Sequence, residues 1–134
     1  MRVTLALVSD AANVSREGKL NILGVFDTIY TRQFPTTHPQ MQVVVRFEAD
    51  STEVGGERQV EIRLVDPDGE PVLRVPGTLT IRAAVRGDRA QIDRIVALTG
   101  VTFPVPGRYA LTIVVDGATA ATVALYVEEL GTAH

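Results

Sequence analysis

The side chains best suited to chemistry are the carboxylates of one short turn. Asp66, Asp68 and Glu70 occupy alternate positions in DPDGEP, and Asp88 lies in a later segment that we expect to be a loop. Carboxylate oxygens that converge from several loops are ligands for Ca²⁺, which takes about six to eight of them. The same turn residues also form an ordinary β-turn that needs no ion. Two interpretations of Asp66 and Asp68 therefore stay open, a calcium site shared with Asp88 and a plain turn.

A second stretch, SREGKLNILGVF, contains a Gly18-Lys19 pair of the kind found in phosphate-binding loops. Such a loop has the pattern G-x-x-x-x-G-K-[ST], in which the first glycine lets backbone N–H groups approach phosphate and the hydroxyl binds magnesium. Here Asn13 stands at the position of the first glycine, and Leu20 at that of the hydroxyl residue. We therefore predict a turn between two β-strands and no nucleotide site.

Nucleophilic catalysis and zinc binding both lack the residues that they need. The chain has no cysteine and two histidines, of which His134 is the last residue and His38 lies between prolines in FPTTHPQ. A hydrolytic triad needs a Ser or Cys beside an oriented His, and a zinc site needs three or four ligands. We therefore expect no catalytic residues and no cofactor, with calcium as the one metal to consider.

Composition and charge are those of a soluble globular protein. Of the 134 residues, 46% are apolar and 22% are charged, and the net charge at pH 7 is −3. A chain of this size forms one domain with a real core, so we predict a single domain over residues 1–134. The weak negative charge does not favour nucleic acid or anionic membranes as partners. No segment has the roughly 18 apolar residues of a membrane span or the pattern of a signal peptide, which predicts a cytoplasmic protein.

The elements that must position these groups are β-strands, because apolar and polar residues alternate along most of the chain. In MQVVVRFEAD, for example, Val43 and Val45 fall on one face, and Gln42 and Arg46 fall on the other. Strands of this kind with turn residues between them are typical of sandwiches. We predict an all-β fold, an antiparallel immunoglobulin-like β-sandwich of about nine strands. The predicted strands cover residues 2–9, 19–30, 41–50, 58–66, 72–75, 78–86, 92–102, 108–116 and 121–129.

Proline and glycine mark where these strands are expected to begin and end. Asp116-Gly117 is a strong hairpin signal, and Asp66-Pro67-Asp68-Gly69 is another. The two prolines of FPTTHPQ, residues 34–40, predict a crossing between the sheets instead of a central strand. Val75-Pro76-Gly77 is expected to end one short strand and to start the next at a sheet edge.

The outward positions of the last two predicted strands carry no charge. If Leu111 and Ile113 point inward, their neighbours point outward, together with alternate residues across the Asp116-Gly117 hairpin. A sheet face that meets water is usually polar, whereas a covered face is not. This neutral hairpin face is therefore either covered by the chain itself or used in self-association or partner binding. Its positions are Ala110, Thr112, Val114, Ala120, Thr122, Ala124 and Tyr126, and the neutral outward positions of the first strand are Thr4, Ala6 and Val8.

Several motifs follow one another in a specific order along nearly the whole chain. They are an acidic end to the first strand, G-K-L and a glycine in the second, F-P, D-P-D-G, and a closing glycine, tyrosine and D-G. They fall on Asp10, Gly18-Lys19-Leu20, Gly24, Phe34-Pro35, Asp66-Pro67-Asp68-Gly69, Gly107, Tyr109 and Asp116-Gly117. This order resembles an uncharacterised bacterial family of short all-β proteins, catalogued as a domain of unknown function. The resemblance implies an immunoglobulin-like sandwich and no known activity, so it carries over no functional residues.

The segment PGRYALTIVVDG is also similar to the penultimate strand of many immunoglobulin-like modules. In those modules a tyrosine packs beneath the sheet and its hydroxyl ties down a loop. The likeness implies that Tyr109 is a core anchor and not a site residue.

Two functional hypotheses follow from the sequence. The first is a non-catalytic interaction or assembly module that associates with itself or with a protein partner through the neutral hairpin face. The alternative is a small-ligand, carbohydrate or calcium-binding sandwich that uses the loops around Asp66, Asp68 and Asp88. Aromatic residues amount to 5% with no tryptophan, which supplies few stacking groups for sugars. A melting curve with Ca²⁺ and with EDTA distinguishes the calcium case, because a bound ion stabilises the folded state.

Overall fold

The computed structural model of the chain describes residues 1–82 and 89–131. Within these ranges nine β-strands form two sheets, which confirms the predicted all-β sandwich and its strand count. The immunoglobulin-like subtype stays a prediction. A short 3-10 turn over Ser51–Glu53 follows the fourth strand. The strands are β1 (Arg2–Val14), β2 (Leu20–Phe26), β3 (Thr28–Thr31), β4 (Thr36–Asp50), β5 (Glu57–Val65), β6 (Pro71–Thr80), β7 (Arg89–Phe103), β8 (Gly107–Val115) and β9 (Ala118–Glu129).

The two sheets contain four and five of these strands. The four-stranded sheet has the order β2-β1-β4-β7, and the five-stranded sheet has the order β3-β9-β8-β5-β6. Every neighbouring pair is antiparallel except β3 and β9, which run parallel. The edge strands are therefore β2 and β7 in one sheet and β3 and β6 in the other. The described residues contain no helix with the length and apolarity that crossing a membrane requires.

The hydrophobic core lies between the two sheets and is built from the inward side chains of alternate residues. Leu111 and Ile113 are fully buried in it, as the alternation predicts, and Phe47 and Phe103 are buried beside them. Strand alternation places these residues on one face because successive side chains point to opposite sides of a strand. Of the inward positions predicted for residues 78–86, Leu79 and Ile81 are buried, whereas those in 83–86 lie outside the described residues.

Tyr109 is the most prominent anchor of this core. Its ring is fully buried and meets Phe103 edge-on, with 5.0 Å between the ring centroids. Its hydroxyl donates a hydrogen bond to the Val105 carbonyl oxygen at 2.6 Å and accepts one from the Val105 N–H at 3.2 Å. Burial is the largest cause of the raised pKa of this hydroxyl. The predicted role of Tyr109, a core residue that ties down a loop, is confirmed.

Three predicted strand boundaries are wrong for reasons connected with a sheet edge, and β1 also continues to Val14, beyond its predicted end at residue 9. Residues 19–30 form two strands, β2 and β3, which belong to different sheets. Only the first part of FPTTHPQ crosses between the sheets, because β4 starts at Thr36. Residues 36–41 of β4 pair with β7 alone. Pro39 therefore lies where no strand on the other side needs its N–H. Val75-Pro76-Gly77 does not separate two strands, because β6 runs through it as an edge strand that tolerates proline.

The outward face of β1 differs from the expected one because of a β-bulge. The pairing of β1 with β4 shifts between Val3 and Leu5. A bulge adds one residue to a strand and so exchanges the faces of all residues beyond it. Ala6 and Val8 consequently point into the core, against expectation, and Leu5 and Leu7 point outward. Of the three residues predicted to face outward, only Thr4 is exposed.

Candidate functional site

The carboxylate of Asp66 is occupied in holding its own turn together. Its Oδ1 accepts hydrogen bonds from the N–H groups of Asp68 and Glu70, both at 2.9 Å. The Gly69 N–H donates to the Asp66 carbonyl oxygen at 3.0 Å, and Gly69 has a φ of +87°, which favours glycine. This geometry confirms the hairpin between β5 and β6 that the sequence predicts. Asp88, the third calcium candidate, lies outside the described residues, and residues 1–82 and 89–131 contain no group of three or more acidic, His or Cys side chains positioned to hold a metal ion.

The other candidates for chemistry also have structural surroundings. Gly18 and Lys19 lie in the turn between β1 and β2, where the Ser15 N–H donates to the Lys19 carbonyl oxygen at 2.8 Å, so the predicted strand connection is confirmed. His38 lies within β4 and not in a loop, and its ring packs against Phe26 with 5.9 Å between the centroids. His134 lies outside the described residues. Among the candidates that lie within residues 1–82 and 89–131, the structure brings none together into one site.

Three glutamates with lowered pKa values are each held by basic groups. The pKa of Glu53 is lowered to about 2, chiefly by a hydrogen bond from the N-terminal ammonium at 2.7 Å, with the Asp50 N–H and Arg58 adding to the effect. The pKa of Glu61 is lowered by Arg74 and Arg63, and that of Glu48 by Arg2 and Arg89. These ion pairs account for the shifts without any role in proton transfer.

The neutral hairpin face is narrower in the structure than the sequence suggests. Pairing of β8 with β9 sets Ala110 opposite Ala124 and Thr112 opposite Thr122, as expected for one common face. Val114, one of the seven expected positions, is only 3% exposed and so contributes no accessible side chain to this face. A register shift after Ile113 also places Thr119 opposite Val114 instead of Ala120.

Charged residues border this neutral hairpin face along β5 and at the Arg108 end of β8. Arg63 of β5 pairs with Thr112, and Glu61 pairs with Val114. Arg108 of β8 pairs with Tyr126 at the other end. The large side chains here are two tyrosines, Tyr126, which is 36% exposed, and Tyr30 of the neighbouring β3, which is 60% exposed. The accessible neutral surface is therefore a strip two strands wide, composed mainly of alanine and threonine.

An apolar surface lies on the outer side of the other sheet, and sequence reasoning missed it. Leu23 is 73% exposed and Val25 is 61% exposed, both on the edge strand β2. None of the residues of this surface belongs to the core between the sheets. We call the surface the aliphatic face, and it comprises Leu5, Leu7, Leu23, Val25, Val44 and Ile95.

The aliphatic face is continuous across all four strands. Leu7, Val44 and Ile95 form one row over β1, β4 and β7, in which Val44 is fully buried between its two neighbours. Val25 pairs with Ser9 of β1 in the adjacent row. Residues diagonal to one another on neighbouring strands lie about 7 to 8 Å apart, close enough for leucine and valine side chains to contact.

One end of the aliphatic face is bounded by ion pairs. Arg46 binds both carboxylate oxygens of Asp93, at 2.7 and 3.2 Å. Further along the same strands, Glu48 accepts hydrogen bonds from Arg2 and Arg89. An apolar centre with a polar rim is the usual anatomy of a protein–protein interface.

Comparison with known proteins gives remote structural similarity. No curated protein matches the chain. The chain is similar to the Pseudomonas fluorescens alkylpurine DNA glycosylase AlkC bound to DNA containing an abasic site analog, with 13% identity and a TM-score of 0.48 over 75% of this chain and 27% of that one. It is also similar to a glycosyl hydrolase family 2 member from Bacteroides cellulosilyticus, with 17% identity and a TM-score of 0.36 over 69% of this chain and 14% of that one. The chain thus spans less than a third of the length of either protein.

A family model matches this chain from residue 4 to residue 128. The matched range includes the four-stranded sheet, the neutral hairpin face and the Asp66 turn. It also includes all the motifs that carry the resemblance noted in the sequence, from Asp10 to Asp116-Gly117. The chain therefore belongs to DUF6941, a family of unknown function.

Proposed function

We propose that this protein is a non-catalytic β-sandwich assembly module that associates with a second copy of itself through the aliphatic face. The observation that supports the proposal is the exposure of Leu23 and Val25 beside Leu5, Leu7 and Ile95. Removing such a surface from water stabilises an associated state by about 25 cal/mol for each Å² of apolar area. Apolar patches with a polar rim on soluble proteins mark interaction sites.

The size of the sheet is appropriate for a stable dimer. The long strands β4 and β7 contain 15 residues each. Together with the 13 residues of β1 and the 7 residues of β2, strands about 4.8 Å apart with a rise of about 3.3 Å per residue cover roughly 800 Å². Each partner in a standard protein–protein interface buries about 800 Å². The outer side of this one sheet therefore supplies enough area.

The charge distribution favours a second copy over a strongly charged partner. The acidic groups at the rim, Glu48 and Asp93, are already paired with Arg2, Arg46 and Arg89. A two-fold interface places the same patch against itself, so unpaired charge of one sign would repel. Here the rim is close to neutral and the centre is aliphatic, which suits packing of sheet against sheet.

A non-catalytic role in the cytoplasm is part of the same proposal. The candidates for chemistry have structural roles instead, since Asp66 caps its turn and His38 packs on Phe26. The chain also contains no cysteine, so its stability does not depend on an oxidising compartment. Protein partners other than a second copy belong to this proposal only where they bind the aliphatic face.

A pair of lysine variants tests where the chains associate. Val25→Lys places a charge on the exposed β2 side of the aliphatic face, and Thr122→Lys places the same charge on the neutral hairpin face. Both positions are exposed, so the folded chain accepts lysine at each of them. In sedimentation velocity, we expect the wild-type mass to rise with concentration towards that of two chains. We expect Val25→Lys to weaken association at least about tenfold, or about 1.4 kcal/mol, and Thr122→Lys to behave as wild type.

Two results contradict this proposal. A wild-type mass of one chain at every concentration up to about 1 mM removes self-association, since a dissociation constant of that size is only about 4 kcal/mol. Association that Thr122→Lys abolishes and Val25→Lys preserves moves the interface to the neutral hairpin face.

A further inference from the structure

An apolar cleft opens between the two sheets where the edge strands β6 and β7 lie. It has a volume of about 100 Å³. Its inner lining consists of fully buried core side chains, including Val45, Phe47 and Ile113. Its outer lining consists of exposed residues, with Gly77 and Thr78 on β6 and Arg94 on β7. The cleft thus leads from solvent directly into the core.

The residues at two inward positions of the edge strands, Gly77 and Arg94, account for the cleft. Gly77 pairs with Val60, whose side chain packs against the core, so position 77 faces inward but has no side chain. Arg94 pairs with the core residue Val45, so it occupies an inward position on β7 with a charged side chain. An inward charge on an edge strand prevents the edge from pairing with another chain. That role accounts for Arg94 but not for the missing side chain at position 77.

Among residues 1–82 and 89–131, the lining of the cleft combines an apolar interior with one cation, Arg94, at its opening. The Arg94 Nη1 donates a hydrogen bond to the Asp93 carbonyl oxygen at 3.1 Å. The Asp93 carboxylate itself is bound by Arg46 on the outer side of the sheet. Guanidinium groups present several N–H donors in a plane, an arrangement that matches the two oxygens of a carboxylate.

We propose that this cleft binds a short aliphatic carboxylate, with the hydrocarbon chain between the sheets and the carboxylate on Arg94. A cavity of about 150 Å³ lined by aliphatic side chains holds benzene, so about 100 Å³ holds roughly four carbon atoms. The cleft lies at the open side of the sandwich, whereas the aliphatic face lies on the outside of one sheet. Ligand binding here is therefore independent of the proposed self-association.

Pentanoate is the probe that tests the proposal, observed by methyl NMR of the full chain. We expect saturable shifts at Val45, Val96 and Ile113, which line the cleft, and none at Leu23. Pentylamine has the same chain with the opposite charge, and we expect no binding from it. Arg94→Gln keeps a polar N–H donor but removes the charge, and we expect it to weaken pentanoate binding at least about tenfold.

Filling the cleft provides the second arm of the experiment. A Cβ atom at Gly77 has its nearest neighbour, the Val60 carbonyl oxygen, at 3.9 Å, so the site accepts a side chain. We expect Gly77→Val to fold, to lose the pentanoate shifts and to melt no lower than wild type. Gly77→Ala fills less of the space and is expected to weaken binding partially, while Thr122→Val, on the outer face of β9 three strands from β6, leaves it unchanged.

The outcomes separate clearly. Saturable shifts at the cleft that Gly77→Val removes and Arg94→Gln weakens support the proposal. Absence of shifts at Val96 and Ile113 at about 100 mM pentanoate overturns the proposal. A dissociation constant above that concentration corresponds to a binding free energy weaker than about 1.4 kcal/mol. Equal affinity for pentanoate and pentylamine, or full affinity in both Gly77 variants, overturns it as well.

Discussion

Individual residues of this protein act mainly by satisfying polar groups that would otherwise be buried without partners. The Tyr109 hydroxyl binds both the N–H and the carbonyl oxygen of Val105, and thereby fixes the segment before β8 to the core. A buried backbone group that loses its partner costs about 1 to 3 kcal/mol. The likeness to other sandwiches was enough to predict this role, because the tyrosine and its glycine are local in sequence.

Removing that hydroxyl is a direct stability test. We expect Tyr109→Phe to lower the free energy of unfolding by about 1 to 3 kcal/mol, because the ring stays in place and the Val105 groups lose their partner. Tyr126→Phe, on the partly exposed face of β9, is the matched control and is expected to change stability by less than about 0.5 kcal/mol. Urea denaturation measures both. Equal stability of the two variants would contradict the anchoring role.

Glu53 predicts how stability depends on pH. Its pKa is lowered from 4.5 to about 2 in the folded chain, so its carboxylate stabilises the fold fully above pH 4.5. That contribution is lost as the pH falls from about 4.5 towards about 2, where the folded chain also takes up the proton. We expect the melting temperature of the wild type to decrease over this pH range. The melting temperature of Glu53→Gln is expected to decrease less over the same range. Glu17→Gln, in the exposed turn after β1, is the control, and an unchanged acid profile in Glu53→Gln would refute the assignment.

Val114 shows what a sequence cannot supply at this scale. Alternation correctly puts it on the outer side of β8, opposite Glu61. Its lack of exposure comes from neighbouring strands and from the register shift after Ile113, and neither is encoded in the local pattern. Even where alternation places a side chain on the outer face of its strand, the neighbouring strands decide whether that side chain reaches solvent.

Among the elements, the β5–β6 hairpin distinguishes a structural aspartate from a metal ligand. Asp66 accepts two backbone N–H bonds, so we expect Asp66→Ala to destabilise the chain by about 1 to 2 kcal/mol. Asp68 contributes its N–H and not its carboxylate to this turn, so Asp68→Ala should change stability by less than about 0.5 kcal/mol. Thermal melting with Ca²⁺ and with EDTA completes the measurement. A melting temperature that Ca²⁺ raises in wild type but not in Asp68→Ala would favour the calcium interpretation.

The strands also show where alternation is sufficient for prediction and where it is not. It predicted the inward residues of β8 and the two hairpin turns, because each depends on residues close in sequence. It failed on β1, where one extra residue at the bulge after Val3 exchanges the faces of Leu5 and Leu7 with those of Ala6 and Val8. In β2 the segment LNILGVF has apolar residues on both faces, so its alternation does not identify the exposed Leu23 and Val25. The aliphatic face was missed because alternation gives the wrong face on β1 and no single apolar face on β2.

At the scale of the whole molecule, the apolar side chains of the described residues gather in three places. The core is enclosed between the sheets, the cleft opens at the β6–β7 edge, and the aliphatic face covers one outer side. The fold class could be predicted because it follows from periodicity and turn residues. The strand number agrees although one predicted strand is two strands and two predicted strands are one. The surface could not, since Leu7, Val44 and Ile95 are far apart in sequence and meet only through the strand order β1-β4-β7.

Solvent accessibility of the methyl groups tests the central claim most directly, namely that the aliphatic face becomes covered by a second copy. A soluble paramagnetic agent broadens methyl NMR signals that it can approach, and the measurement compares dilute with concentrated protein. We predict that broadening at Leu23 and Val25 falls by at least about half once most chains are associated, in proportion to the surface each partner buries. Thr122, exposed on the neutral hairpin face opposite Thr112, supplies a methyl group as the internal reference, which should stay equally broadened. Broadening of Leu23 and Val25 that is the same at both concentrations would contradict the account.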